Sequence, residues 1–299
     1  MKTNKVIDKR TKILECKNAS ISLKLASPQV GLHDPQSENI TSQKKFAFKF
    51  VSASDVTRII RKLNSTRAEG TDGIPTEVLK KGAAVLAGPI AKICNLSLST
   101  GIFPDSFKKA IIHPIYKGDG KDPRNPSSYR PISILPALSK VLEIAVRDPL
   151  LEWLEEHGFL PESQFGFRPG RSAAMALLCA QSDWMDAKSI GEAVGVMAFD
   201  LSSAFDTISA ATLLEKLESA GVTGQPLLWM KSYTSGRSQC VVWNDSTSEF
   251  SPLTYGVPQG SILGPILFLV MVADLPEFVT NGSKNAKMVS YADDSTLYV

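Results

Sequence analysis

The chain has few of the residues that build thiolate metal sites and disulfide scaffolds. Its 299 residues include only four cysteines and three histidines. The closest two cysteines, Cys179 and Cys240, lie 61 positions apart, and no C-x-x-C pair occurs. This spacing excludes a local zinc motif and argues against a disulfide framework. We therefore expect the protein to work in a reducing, intracellular compartment.

Long apolar stretches are also scarce. The N-terminal segment "MKTNKVIDKRTKILECK" lacks the continuous apolar core of a signal peptide. The strongest membrane candidate is residues 262–275, "ILGPILFLVMVADL", in which Pro265 and Asp274 bound the uninterrupted apolar part. This segment is too short to span a bilayer. It predicts a buried helix instead, and we expect no membrane partner.

The net charge of +3 is too small to indicate a partner, but the charges are unevenly distributed. Residues 108–140 carry seven basic and two acidic side chains, a net charge of +5, so the rest of the chain is net −2. A stretch of this kind either binds phosphates or forms a solvated surface, and charge alone leaves both open. Its basic members are Lys108, Lys109, Lys117, Lys121, Arg124, Arg130 and Lys140.

The sequence divides into a polar N-terminal segment and a patterned remainder. Residues 1–45 show no sustained period, which indicates a linker or disorder. From Phe46 onward ordered structure is expected. The first helix is predicted over "SDVTRIIRKL", where apolar residues recur at the spacing i, i+3, i+4, i+7 and Ser54 is the candidate N-cap.

Alternating helix and strand patterns follow along the rest of the chain. Residues 110–116 and 130–135 predict a hairpin with a long charged loop, in which Pro114 would break its strand or place it at a sheet edge. Residues 192–200 read as a buried strand ending in Asp200, and the last residues, "KMVSYADDSTLYV", read as a closing hairpin. Because the order lacks a strict βαβ rhythm, we predict an α+β fold with an antiparallel sheet.

Three acidic residues stand at the ends of apolar strands. Asp293 and Asp294 occupy the turn of the closing hairpin, and Asp200 would join them if its strand lay beside that hairpin. Converging carboxylates need a neutralising cation, and oxygen ligands without His or Cys favour Mg²⁺ or Mn²⁺. The alternative is that the paired acids are ordinary turn residues, with Asp206 or Ser209 capping the next helix.

Six blocks, taken in order, carry more information than any one of them. They read "EGTDGIPTEVLKK", "IIHPIYKGDGKDPRNPSSYRPISIL", "FLPESQFGFRPGRSA", "MAFDLSSAFDTI", "YGVPQGSILGPILF" and "SYADDSTLYV". In content and order they resemble the reverse transcriptase domain of non-LTR (LINE-type) retrotransposons. The resemblance covers roughly residues 50–299, and group II intron reverse transcriptases share several of the same blocks.

The resemblance implies a right-hand polymerase fold, with fingers and the start of the palm in residues 46–190 and an incomplete palm in residues 191–299. It implies an RNA-directed DNA polymerase that extends a DNA primer on an RNA template with deoxynucleoside triphosphates. Asp200, Asp293 and Asp294 match the catalytic aspartates, which with the Leu201 carbonyl would bind two Mg²⁺ ions (or Mn²⁺). The resemblance also implies that the protein lies in the nucleus or cytoplasm, as part of a retroelement ribonucleoprotein.

The same resemblance assigns further residues to the substrates. Phe205 would exclude a ribose 2′-hydroxyl, although it also fits a plain core aromatic. Lys117, Arg130, Gln259 and Gly260 would contact the incoming nucleotide. Residues expected to contact the template or primer backbone are Arg168 and Arg171.

The chain ends at the last predicted strand, and by the resemblance we expect it to lack the thumb of the family. We therefore expect a fragment that polymerises poorly alone and leaves sheet edges and apolar helix faces uncovered. Two other functions stay open: a non-catalytic nucleic-acid-binding remnant, and a metal-dependent nuclease that uses the same acids. A nuclease needs no grip on a triphosphate, so nucleotide dependence separates it from a polymerase.

Overall fold

The computed structural model describes residues 44–299 except residues 119, 202, 281, 282 and 284. The linker predicted over residues 1–45 therefore lies almost entirely outside the described residues. Within them, helices and strands intermix in an α+β arrangement, as predicted. The helices are α1 Ala53–Lys62, α2 Thr76–Lys81, α3 Ala83–Thr100, α4 Ala137–Glu156, α5 Ala173–Ser189, α6 Ala210–Ser219, α7 Gln225–Thr234, α8 Gly264–Met271 and α9 Leu275–Thr280. The strands are β1 Lys109–Tyr116, β2 Tyr129–Ile134, β3 Val196–Asp200, β4 Ser238–Trp243, β5 Ser246–Thr247, β6 Ser251–Pro252, β7 Lys287–Tyr291 and β8 Asp294–Tyr298.

The first helix forms where its apolar period predicts it, but it begins two residues earlier. Ser52, not Ser54, is the N-cap: its hydroxyl accepts a hydrogen bond from the Asp55 amide, and the Asp55 carboxylate accepts one from the Ser52 amide. This reciprocal pair is a capping box, which satisfies two amides that the helix cannot. Val56, Ile59 and Ile60 are buried as expected.

Two of the longer helices, α3 and α7, were not anticipated from the sequence, and neither was the short α9. The helix α3 is long and apolar enough to cross a membrane by length and composition alone. It packs against α1 and α7, and its buried residues include Ile90, Cys94 and Leu98. The other helix, α7, buries Trp229 and Tyr233 against Phe103, with ring centroids 5.4 and 4.9 Å from that of Phe103. Both helices contribute to one continuous apolar core.

The larger sheet has the order β2-β1-β4-β5, with β6 also paired to β4. The predicted hairpin of the basic stretch is confirmed as the antiparallel β1–β2 pair. Pro114 does not place β1 at an edge, contrary to expectation, because β1 lies between β2 and β4. The pairing with β4 covers only Lys109–Ile112, so the proline lies beyond that ladder and interrupts none of its hydrogen bonds.

The smaller sheet has the order β3-β8-β7 and carries the three acidic residues. The strand β3 begins at Val196 and is exposed along most of its length, so the prediction of a buried strand over residues 192–200 was wrong. Val196 is 51% and Met197 63% exposed. The apolar composition predicted a covered strand, whereas β3 is the edge of this sheet in the described part of the chain. The uncovered apolar edge itself was expected.

Candidate active site

The closing hairpin places Asp293 in a two-residue turn. The strands β7 and β8 pair antiparallel from Lys287–Tyr298 to Tyr291–Asp294, which leaves Ala292 and Asp293 between them. Ala292 has φ of +57°, a left-handed conformation that a residue with a Cβ seldom adopts. Hairpins this short require such a conformation, because it matches the twist of the two strands. Asp293 therefore projects from a turn whose backbone needs external support.

Asp200 lies beside this hairpin. In the antiparallel β3–β8 pair Asp200 is directly opposite Asp294, and the Leu201 amide donates to the Asp293 carbonyl at 3.3 Å. Directly opposite residues point to the same face of a sheet, with their Cβ atoms about 4.5–5.5 Å apart. The convergence of the two strand ends predicted from the sequence is thus present, and all three acids stand at one end of the smaller sheet.

The donor set has the chemistry that Mg²⁺ prefers. Its members are carboxylates on neighbouring strand ends, with the Leu201 backbone adjoining them. Asp200 and Asp294 are exposed and Asp293 is partly exposed, so water and ions can reach them. The side chains do not close into a ligand cluster: among the described residues no three His, Cys, Asp or Glu groups lie close enough to hold a metal ion. The strand pairing alone brings the three residues to one end of the sheet.

The segment 163–166 supports the hairpin turn from one side. The buried Gln164 amide contacts both backbone groups of Ala292, donating to its carbonyl at 3.2 Å and accepting from its amide at 3.0 Å. Backbone hydrogen bonds of 2.8 Å join Phe165 and Ser163 to Ser290. A Cβ on Gly166 would overlap the Ala292 backbone. Gln164 is not among the site residues predicted from the sequence, where the available indication is an amide next to the glycines of the block "QFGFRPG".

Phe205 packs between two other aromatic rings. Its centroid lies 5.4 Å from Phe268 on α8 and 6.1 Å from Phe167. The ring is half-buried and contacts the apolar core, so it has the support that a rigid steric barrier needs. This placement agrees with the core reading and leaves the role in sugar selection a prediction.

The "PQG" loop packs against β2. The Ser133 amide donates to the Gln259 carbonyl at 2.8 Å, and a Cβ on Gly260 would lie 2.6 Å from the Ser133 carbonyl oxygen. Gly260 has φ of +121°, so both its backbone conformation and its close approach favour glycine. The close approach seen here is to β2, and the predicted contacts of Gln259 and Gly260 with the incoming nucleotide stay predictions.

Glu143, which is not among the predicted site residues, holds the segment that follows the "PQG" loop. Its carboxylate is fully buried on α4 and accepts from the amides of Ile262 at 2.8 Å and Leu263 at 3.2 Å. The hydroxyls of Ser139 and Tyr233 complete its shell at 2.6 and 3.1 Å. Burial and the Glu143 charge raise the pKa of Tyr233 well above its usual range, so the phenol remains a donor. The sequence does indicate such a role, because Glu143 lies among the apolar positions of α4 and an acid is seldom buried unless it is paired.

The two fingers cations predicted to bind phosphate lie on the β1–β2 hairpin. Lys117 donates from Nζ to the Ser127 carbonyl at 2.9 Å, across the charged loop. Arg130 is exposed on β2, opposite Ile115 of β1. A cleft of about 70 Å³ opens beside this hairpin. Its lining includes Tyr129, Ser133, Asp206, Gln239, Tyr255 and Gln259.

Arg168 requires a correction. It was predicted to contact a nucleic-acid backbone, but its side chain is only 2% exposed and its guanidinium pairs with Glu155. It also donates to the carbonyls of Pro161 at 2.6 Å and Gln164 at 3.2 Å. A guanidinium whose donors are engaged inside the protein cannot bind a phosphate at the same time. Arg171 is 19% exposed and pairs with Glu162, so its predicted contact with nucleic acid stays a prediction.

Residues 115–299 match the family model described as reverse transcriptase (RNA-dependent DNA polymerase). The match includes the three aspartates, the "PQG" loop and the Gln164 block. The chain belongs to the reverse transcriptase family. The resemblance to LINE-type retrotransposon enzymes is confirmed.

Two curated relatives of this reverse transcriptase domain come from Drosophila melanogaster. The RNA-directed DNA polymerase from mobile element jockey is 32% identical over 259 residues, which cover 85% of this chain and 28% of that protein. The probable RNA-directed DNA polymerase from transposon X-element is 31% identical over 240 residues, covering 80% of this chain and 26% of its own length. The chain thus spans about a quarter of the length of these relatives.

Proposed function

We propose that this chain carries the nucleotide-adding centre of an RNA-directed DNA polymerase. Residues 46–190 form the fingers and the start of the palm, and residues 191–299 contribute the palm strands. The observation that carries the proposal is the β3–β8 register, which puts Asp200 opposite Asp294 and beside the Asp293 turn. Family membership supports the reaction class, a transfer of a nucleotide from a deoxynucleoside triphosphate to a primer 3′-hydroxyl.

Each residue of the site has a separate task in this proposal. Asp200, Asp293 and Asp294, with the Leu201 carbonyl, would hold a pair of Mg²⁺ ions, which would supply charge stabilisation for the phosphates. The planar guanidinium of Arg130 and the ammonium of Lys117 would bind the triphosphate from the β1–β2 hairpin. Phe205 would exclude a 2′-hydroxyl from beneath the sugar, because its ring is backed by Phe268.

Single-nucleotide addition is the most direct test, because one turnover does not require processive movement along a template. The assay uses the chain in excess over an RNA template with an annealed DNA primer, Mg²⁺ and one matching deoxynucleotide. We expect slow extension by one residue, which Asp200→Ala and Asp293→Ala each abolish while duplex binding stays within about two-fold, since neither change removes a cationic contact.

Two results would favour the other functions. Cleavage of the duplex without added deoxynucleotide would indicate a metal-dependent nuclease. Tight duplex binding with no extension in the unsubstituted chain would favour a non-catalytic nucleic-acid-binding remnant, and extension unaffected by Asp200→Ala would contradict the site assignment.

A further inference from the structure

The turn that carries Asp293 is bound by a single buried side chain from elsewhere in the sequence. Gln164 is 3% exposed, and its amide oxygen accepts from the Ala292 amide at 3.0 Å and the Gly166 amide at 2.8 Å. Its amide nitrogen donates to the Ala292 carbonyl at 3.2 Å. Both backbone groups of one turn residue are therefore bonded to one side chain across 128 positions of sequence.

Ala292 needs this support. Its φ of +57° lies in the left-handed region, which costs an L-residue free energy unless its surroundings hold it there. Two hydrogen bonds to opposite sides of the residue fix its peptide planes. The orientation of the next residue, Asp293, depends on those planes, because a turn of two residues has few remaining degrees of freedom.

Gln164 is itself held rigidly from α4. Its own carbonyl accepts from Arg168 at 3.2 Å, and Arg168 is paired with Glu155 near the end of that helix. The Phe165 amide donates to the Ser290 carbonyl and the Ser290 amide donates to the Ser163 carbonyl, which fixes the backbone on either side of Gln164. The support is thus a continuous chain of contacts from a core helix to the turn.

We propose that Gln164 is a positioning residue for the metal-binding carboxylate of Asp293. In this role it acts by holding Ala292 in the left-handed conformation, which fixes the backbone from which Asp293 projects beside the end of β3. The metal-binding part of this inference rests on the proposed function, which assigns Asp293 to a metal site. The part that concerns the turn, that Gln164 fixes its conformation, does not depend on the proposed function.

The test replaces Gln164 with Met, which keeps length and volume but forms neither hydrogen bond to Ala292. Gln225→Met on α7 is the matched control, because it also removes an amide contact with a distant backbone carbonyl, that of Ser99 at 2.8 Å. The readouts are hydrogen exchange of the peptide 288–295 and calorimetric titration with Mn²⁺, with Asp293→Ala as the baseline. For Gln164→Met we expect exchange about 10-fold faster and Mn²⁺ binding about 10-fold weaker, the effect typical of residues that orient metal ligands.

A second substitution separates positioning from general stability. Glycine adopts a positive φ without support, so adding Ala292→Gly to Gln164→Met should restore at least about half of the lost Mn²⁺ binding on a logarithmic scale. If Gln164→Met does not fold, Gln164→Asn gives the same readouts, since its shorter amide cannot reach both groups of Ala292. Exchange and Mn²⁺ binding within about two-fold of the unsubstituted chain in a folded variant would overturn the proposal, as would no recovery with Ala292→Gly.

The two readouts also distinguish the two proposals. If the unsubstituted chain binds Mn²⁺ no better than Asp293→Ala, the metal site of the proposed function fails, and the exchange measurement still decides whether Gln164 fixes the turn. If Mn²⁺ binds and the Gln164 variants change neither readout, the polymerase site stands and the positioning role is wrong.

Discussion

Single buried polar residues hold two loops of the domain, the segment before α8 and the hairpin turn that carries Asp293. Glu143 accepts four hydrogen bonds inside an otherwise apolar core, two of them from backbone amides just before α8. Gln164 holds the hairpin turn by accepting from the Ala292 and Gly166 amides and donating to the Ala292 carbonyl. The net stabilisation from each hydrogen bond to a buried acceptor is small. Removing the acceptor costs more, because it leaves buried donors without partners.

Replacing Glu143 tests this reasoning on stability. Glu143→Ala leaves the Ile262 and Leu263 amides and the Tyr233 hydroxyl without an acceptor, so we expect a loss of about 3 kcal/mol in the free energy of unfolding. Glu152→Ala on the same helix removes only an exposed pair with Lys49 and should cost less than about 1 kcal/mol. Urea unfolding followed by circular dichroism measures both, and equal losses would contradict the role given to Glu143.

Gly260 offers a second prediction at the scale of one residue. An alanine there would have a strained φ and a Cβ 2.6 Å from the Ser133 carbonyl oxygen, so Gly260→Ala should cost about 3 kcal/mol. Gly170→Ala is the control, because its φ is +70° but no atom lies within 4 Å, and only strain of about 1 kcal/mol is expected. The difference between the two in urea unfolding isolates the close approach of the loop to β2.

At the scale of elements, α5 is tied to the aspartate-bearing sheet through one carboxylate. Asp183 on α5 accepts from Lys287 of β7 at 2.6 Å and from the Tyr298 hydroxyl of β8 at 2.6 Å. These hydrogen bonds, with that from Lys287 the stronger influence, lower the pKa of Asp183 below its ordinary value of 3.8. Burial and the bond to Asp183 raise the pKa of Tyr298, so the phenol stays protonated.

This tie should make part of the stability depend on pH. Because the folded-state pKa of Asp183 is depressed, its contribution is complete above the unfolded-state value of 3.8 and is lost as pH falls through the folded-state value. We expect Asp183→Asn to cost about 1 kcal/mol at pH 7, with the difference shrinking only below a pH of about 4. Asp186→Asn, an exposed position on the same helix, is the control; a pH-independent cost for Asp183→Asn would contradict the ionic tie.

At the scale of the whole molecule, the basic side chains of the β1–β2 hairpin lie on a different sheet from the three aspartates. The exposed cations of the β1–β2 hairpin occupy the larger sheet, and the aspartates occupy the smaller one. A nucleic acid is a linear array of negative charges, so a basic hairpin can bind its phosphates while the acids bind only cations. The apolar surface of β3 and α5, including Met197 and Leu178, is a separate exposed feature of the molecule.

Salt dependence of duplex binding tests this separation. In Lys121→Glu/Arg124→Glu we expect weaker binding and a smaller slope of log K against log salt, by roughly 1–2 units for two lost phosphate contacts. Arg61→Glu/Lys92→Glu makes the same change in net charge on α1 and α3 and should leave the slope nearly unchanged. Fluorescence anisotropy between low and moderate salt measures the slopes, and equal effects of the two pairs would show that only total charge matters.

Much of the local structure was predictable from residues alone. The period of Val56, Ile59 and Ile60, the basic hairpin and the closing hairpin were predicted correctly, because each depends on a few neighbouring residues. Asp294, predicted in the turn with Asp293, is instead the first residue of β8. Helices α3 and α7 were missed, because their faces mix apolar side chains with small or polar ones. Their buried faces are recognisable only once the two helices are packed against each other. The exposure of β3 was also misjudged, because composition cannot tell whether another element covers a strand.

The sequence by itself determined the family, the residue types of the centre and the hairpin that presents Asp293, because short patterns and turn chemistry are local properties. Only the tertiary structure decided that Asp200 lies opposite Asp294, that Arg168 serves the protein interior, and that Gln164 and Glu143 hold the loops. Those facts depend on contacts between residues far apart in the chain. Such contacts are set by how whole elements pack and by which buried polar groups must find partners.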